Sequence, residues 1–213
     1  KTKKKTKQKK TNKTYCNLMD RKNYQDHYFK QAKSQGYRSR SALKLIELNN
    51  KFNFIKNGIN VLDVGSFPGG WCQVIRKKIN NGKILGIDIK KIQEIDGVKL
   101  IQGDFLKEDS KKIIKNYFIS KIDLILSDMA SNTTGNKSLD SLRTNQLCLN
   151  ILDFSKEKLS KNGIVVSKFF MGSEIDEIKL KAKKNFKKIN FFKPNSSRDE
   201  SRETYILCSG LST

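Results

Sequence analysis

Residues 61 to 71, "VLDVGSFPGGW", run an apolar, β-forming stretch into a glycine, a proline, two more glycines and the only tryptophan of the chain. Gly65, Gly69 and Gly70 allow positive φ and a close approach of backbone to a ligand. In an open α/β sheet that ligand lies beyond the carboxyl ends of the strands, where the first strand turns into its helix. The spacing is neither the GxGxxG of a dinucleotide fold nor the GxxxxGK of a phosphate loop. With Pro68 stiffening the bend and Trp71 filling space, the turn is shaped for something other than a pyrophosphate. Three acids sit at the ends of three successive apolar runs: Asp63 in "VLDV", Asp88 in "LGID" and Asp104 in "IQGD". An acid at the tip of the second strand grips a ribose hydroxyl pair, and one a strand further on can accept from an exocyclic amine such as that of adenine. Any one of them could cap a helix instead. Three together point to an adenosine-bearing cofactor without a pyrophosphate, S-adenosylmethionine.

These residues need a scaffold, and the pattern of the chain supplies one. Two short helical stretches, "NYQDHYFKQAKSQG" and "SRSALKLIELNNKF", precede "INVLDVG". Strand and helix patterns then alternate through "GWCQVIRKKI", "KILGID", "VKLIQG", "SKKIIKNYF" and "IDLILSD". A long helix follows within 139 to 160, where Leu147, Ile151 and Phe154 fall at core-facing spacing. "GIVVSKFF", a helix near 174 to 185, "KKINFF" and "ETYILC" complete the series. Charge-free strands between amphipathic helices predict an α/β, Rossmann-like, mostly parallel seven-stranded sheet covered on both faces. The last two strands have no helix between them and suit an antiparallel pair.

The chain has 213 residues, which suits one domain, read over residues 23 to 213 behind a basic arm over 1 to 22. A formal net charge of +23 favours a polyanionic partner over a small acidic metabolite. The stretch "KTKKKTKQKKTNKT" holds eight lysines and no acid, and removing them still leaves +15 on the remainder. A Lys-, Asn- and Ile-rich composition can also arise from base bias in a genome, so charge by itself does not name the partner. The four cysteines, Cys16, Cys72, Cys148 and Cys208, are scattered, and His27 is the single histidine. Neither a zinc site nor a disulfide framework is expected, and buried reduced thiols fit an intracellular compartment. No apolar run reaches the roughly 18 residues of a membrane span.

The blocks "GYRSRSALKL", "VLDVGSFPGGW", "IQGDF", "LILSDMASN", "VVSKFFMG" and "KPNSSRDESRETYIL" together resemble the FtsJ/RrmJ family of S-adenosylmethionine-dependent ribose 2′-O-methyltransferases. The similarity runs from about Tyr24 to Gly210, and the order of the blocks is far more specific than any one of them. The resemblance implies a catalytic tetrad of Lys44, Asp128, Lys168 and Glu203. It also implies cofactor contacts at Gly69, Trp71, Asp88 and Asp104, beside Gly65 and Gly70 of the turn, with Asp128 bordering both sites. One departure is visible: Ser131 stands where the family's "DMAP" block has proline, which predicts a looser loop after the fourth strand.

The tetrad suits the implied reaction. A ribose hydroxyl is a poor nucleophile, while a sulfonium methyl is already a strong electrophile, so the protein must position the oxygen and remove its proton. Lys168 is the expected base, Lys44 a neighbouring cation, Asp128 the group that orients Lys168, and Glu203 the one that holds the hydroxyl or Lys44. Two ordinary ion pairs are the simpler reading of any single pair. An amino methyltransferase would show "PPY" or "PPF" after the fourth strand, and a pyrimidine carbon-5 enzyme a cysteine at the active face; neither is present.

Arg38, Arg40, Arg198 and Arg202 are the expected RNA contacts, with Lys30 and Lys33 nearby and Tyr37 a candidate to stack on a base. The family implies ribosomal RNA or a ribosomal particle as partner, a uridine of the large subunit first, with transfer RNA as the alternative. A noncatalytic ribosome-assembly factor on the same fold is the opposing class. No metal or membrane is expected, and a monomer is. A bacterial-type enzyme with a basic arm suits a mitochondrion or plastid, the nucleolus or cytoplasm being the alternatives.

Overall fold

The computed structural model describes residues 27–172, 175–198 and 200–212. The basic arm read over 1 to 22 and Cys16 lie outside them. Helical residues 27–34 (α1) lead into α2 (Ser41–Phe52), and the sheet follows: β1 (Val61–Val64), β2 (Ile84–Asp88), β3 (Lys99–Gln102), β4 (Ile122–Ser127), β5 (Leu159–Phe170), β6 (Phe186–Phe192) and β7 (Glu203–Leu211). Between the strands lie α3 (Gly70–Lys78), α4 (Glu108–Tyr117), α5 (Lys137–Lys158) and α6 (Ile175–Asn185).

The sheet order is β3-β2-β1-β4-β5-β7-β6. All neighbours are parallel except at β7, which runs antiparallel to both β5 and β6. Successive side chains of a strand point to opposite faces, and β1 shows the result. Val61 packs with Trp71, Val74 and Ile75 under α2 and α3, whereas Leu62 and Val64 pack with Phe105, Ile114 and Leu152 under α4 and α5. Burial on both sides explains why β1, β2 and β4 read as nearly unbroken apolar runs.

Two elements differ from the sequence pattern. β5 begins at Leu159, directly after α5, and not at Gly163. Its pairing with β4 steps from Ile122↔Leu159 to Leu124↔Ile164, so the polar "SKNG" stretch is absorbed as an irregularity inside the strand. In α5, Ile151 and Phe154 are in the core, but Leu147 lies nearer the helix start, overhangs the strand ends and lines the cavity described below. The helix opens on Asn136, whose side chain accepts from the backbone N–H groups of Ser138 and Leu139. No helix among the described residues is long and apolar enough to cross a membrane.

Candidate active site

The glycine turn is stereochemically committed. Gly65 has φ +77°, and a Cβ there would lie 2.5 Å from Met129 Cγ and 3.1 Å from Met129 Cα, so only hydrogen fits between β1 and the segment after β4. Asp88, at the tip of β2, accepts from the backbone N–H of Phe67 at 2.9 Å through one oxygen and from that of Lys90 at 2.9 Å through the other. Asp104, two residues past β3, accepts from Leu106 N–H at 3.0 Å. Both carboxylates are thereby aimed from strand ends and keep lone pairs for a ligand. They face a cavity of about 430 Å³ lined by Gly65, Phe67, Ile87, Asp88, Ile89, Asp104, Phe105, Leu106, Asp128, Met129 and Ser131, with others. Two acceptor carboxylates between apolar walls form an acceptor set that fits a nucleoside bearing hydroxyls and an exocyclic amine.

The other turn residues lie elsewhere. Gly69, Gly70 and Trp71 are not among the cavity's lining residues. The Trp71 indole donates to Ser41 O at 2.7 Å and lies 5.8 Å from the Tyr205 ring. Asp63 is wholly buried under α3, where Cys72 Sγ donates to it at 3.1 Å; burial pushes its carboxyl up to about 7.

The four tetrad residues meet at the carboxyl end of the sheet. Ser127 pairs with Ser167, which sets Asp128 and Lys168 side by side as β4 and β5 end. Lys168 lies directly opposite Tyr205 on β7, and Glu203, two residues earlier, shares that face. The same face is covered by α2, which lowers Lys44 onto it. Lys168 Nζ donates to Asp128 Oδ1 at 2.9 Å and to the Asp128 carbonyl at 2.6 Å. Lys44 Nζ is 2.6 Å from Glu203 Oε1, and Lys168 Nζ is 3.9 Å from Glu203 Oε2. All three of Lys44, Lys168 and Glu203 are less than a tenth exposed.

Burial by itself would raise the Asp128 carboxyl, but Lys168, Lys44 and the Tyr205 hydroxyl together outweigh it and hold it below the ordinary carboxylate value. Asp128 is therefore an anion that touches both the tetrad and the cavity. Tyr205 is the participant that sequence reasoning missed: its hydroxyl donates to Asp128 Oδ1 at 2.6 Å, and burial followed by that carboxylate pushes its own pKa far up. The signal was its position two residues after Glu203 on a strand.

The arginines divide. Arg38 donates to the carbonyls of Pro68, Gln93 and Glu94 at 3.4, 2.7 and 2.7 Å, so its guanidinium braces the glycine turn against the segment after β2. Arg40 donates to Ser196 O at 3.0 Å and stays half-buried; burial and the like charge of Arg198 both lower its pKa. Arg198 and Arg202 are exposed, though Arg202 donates to Lys137 O at 2.7 Å. Tyr37 is half-buried, with Lys77 Nζ 4.2 Å over its ring. Ser131, where the family has proline, is tied to α5: its hydroxyl donates to Asp140 O at 3.3 Å and its N–H to Thr144 Oγ1 at 3.3 Å.

A parallel sheet with one reversed strand, a glycine turn after β1 and acids at the tips of β2 and β3 define a Rossmann-like methyltransferase. The model of the FtsJ-like methyltransferase family matches residues 37–211, and the chain belongs to that family. It is 46% identical over 187 residues to ribosomal RNA large subunit methyltransferase E of Pelagibacter ubique, covering 88% of this chain and 92% of that one. The corresponding protein of Novosphingobium aromaticivorans is 41% identical over 186 residues, 87% and 84% of the two chains. A solved structure from Plasmodium falciparum, described as a ribosomal RNA methyltransferase, superposes with a TM-score of 0.74 at 36% identity, covering 82% of this chain and 98% of that one. The protein is an S-adenosylmethionine-dependent methyltransferase.

Proposed function

We propose that this protein methylates a ribose 2′-oxygen in ribosomal RNA, a uridine of the large subunit being the target. The observation that carries the reading is Asp128, which lines the cofactor-sized cavity and holds Lys168 at 2.9 Å, so that donor and base share one wall. The names of the bacterial relatives and their coverage of nearly the whole chain support the large ribosomal subunit.

Asp88 and Asp104 would hold the hydroxyls and amine of the adenosine part. S-adenosylmethionine supplies an electrophilic methyl when bound. The rest of the work falls to this chain. An amine takes a proton only in its neutral form, and Lys168 takes the one that the 2′-hydroxyl must lose. The ammonium formed there is received by the Asp128 carboxylate at 2.9 Å and faces Glu203 at 3.9 Å. Lys44, paired to Glu203, holds that carboxylate and offers a cation to the RNA backbone. One chain supplies every group named, so a monomer is the working unit of this reading.

The test is methyl transfer from labelled S-adenosylmethionine to large ribosomal subunits, free ribosomal RNA and transfer RNA, with the modified nucleotide then mapped. A 2′-O-methylated uridine in large-subunit RNA is expected. Modification confined to transfer RNA would overturn the substrate, and labelling of a base would overturn the chemistry.

A further inference from the structure

The segment between β6 and β7 approaches the tetrad from outside the sheet, and a side chain with no part in the chemistry above holds it there. Glu47 lies three residues after Lys44 on α2, hence on the same side of the helix. Its two carboxylate oxygens accept from two consecutive backbone N–H groups of that segment, Asn195 at 2.6 Å and Ser196 at 2.9 Å. The next residue, Ser197, is buried and donates its hydroxyl to Glu203 Oε1 at 2.9 Å. Oε1 is also the oxygen that meets Lys44 Nζ at 2.6 Å, whereas Oε2 faces Lys168 at 3.9 Å.

A carboxylate can turn about its last bond and exchange its two oxygens, unless one of them is tied more firmly than the other. Ser197 adds a directional bond to the oxygen that Lys44 also holds, and Glu47 holds Ser197 in place. Charge-assisted bonds from a carboxylate to backbone N–H groups are among the stronger hydrogen bonds available, and a bidentate pair fixes the direction of the segment as well as its distance. From this geometry we infer that Glu47 is a positioning residue for methyl transfer: by clamping residues 195–196 it presents the Ser197 hydroxyl to Glu203, and so apportions the two oxygens of Glu203 between Lys44 and Lys168. The same clamp places Ser196 O where Arg40 bonds it. The inference rests on the methyl-transfer reading above.

Glu47→Gln, which keeps the shape and one acceptor, and Ser197→Ala are compared with the wild type and with the double variant. The readouts are kcat, KM for RNA, S-adenosylmethionine affinity and the thermal midpoint. Ser197→Thr, which restores a hydroxyl, serves as the rescue. Each single variant should lower kcat by about ten- to a hundredfold, as sub-ångström to ångström displacements of a reacting group do, with cofactor affinity and folding retained. The double variant should be no worse than the weaker single one, because both act through one contact, and Ser197→Thr should recover most of the rate. Unchanged kcat in Glu47→Gln, or losses that multiply in the double variant, would overturn the inference while leaving the function intact. A variant that loses stability but turns over normally per folded molecule would also overturn it. A wild type that methylates no RNA overturns the reading beneath it as well.

Discussion

Asp128 Oδ1 receives two donors, Lys168 and Tyr205, and the consequences of removing each differ. Lys168→Ala removes the proton acceptor, so kcat should fall by about 10²- to 10⁴-fold. Cofactor affinity measured by calorimetry should change little, since Lys168 is not among the cavity's lining residues. Tyr205→Phe leaves the lysine pair in place but deletes one buried hydrogen bond to a charge, a loss of about 1.5–3 kcal/mol in stability or in turnover. Asp63 offers a test independent of catalysis. Its carboxyl is raised to about 7 in the folded protein against about 4 unfolded. The unfolded state therefore releases its proton first, and stability should decline as pH rises from about 4 to about 7, by up to on the order of 4 kcal/mol. Asp128 and Asp140 are held low instead, so they titrate below that window. Urea midpoints across pH 4.5 to 7.5 should slope downward for the wild type and flatten in Asp63→Asn. At this scale the tetrad was legible because its members sit in distinctive blocks. Tyr205 and Glu47 were not, since an ordinary core tyrosine and an ordinary helix-surface glutamate look the same until their partners, 77 and 148 residues away, are known.

Among elements, the strand ends were legible and the braces between loops were not. Apolar runs stopping at Gly65, Asp88 and Asp104 mark where β1, β2 and β3 hand over to the cavity, although Asp63 lies inside β1 and β3, at the sheet edge, is only partly buried. Arg38 shows the opposite case. Basic residues before the first strand read as RNA contacts, yet this one bonds carbonyls 30, 55 and 56 positions away, and no local pattern encodes such a partner. Arg38→Ala should therefore act on the turn: S-adenosylmethionine affinity should drop several-fold and the protein should lose about 1–3 kcal/mol, while the salt dependence of RNA binding stays as it was. A reduced salt slope with normal cofactor affinity would reassign Arg38 to the RNA. Ser131 and Asp140 make the same point for the segment after β4. Where the family has proline, Ser131 bonds to α5, and Thr134 bonds to Asp140 at 2.7 and 2.8 Å.

For the molecule as a whole, charge and topology set what the site can reach. With +23 formal charges, RNA affinity should fall steeply and linearly on a log–log plot against salt. Deleting residues 1–22 should shallow that slope without changing turnover at saturating RNA, a comparison that filter binding and initial rates would make directly. The mostly parallel sheet was legible from the alternation of patterns, but not the interior position of its last strand, since sequence order is silent on which edge a final strand joins. β7 lies between β5 and β6 and brings Glu203 and Tyr205 with it. During translation, then, the growing polypeptide has Lys44, Asp128 and Lys168 available long before their fourth companion emerges, and the seam beside β5 stays unzipped until residues past 203 leave the exit tunnel. A chain cut short before that point would lack Glu203 and leave an open, adhesive strand edge beside β5.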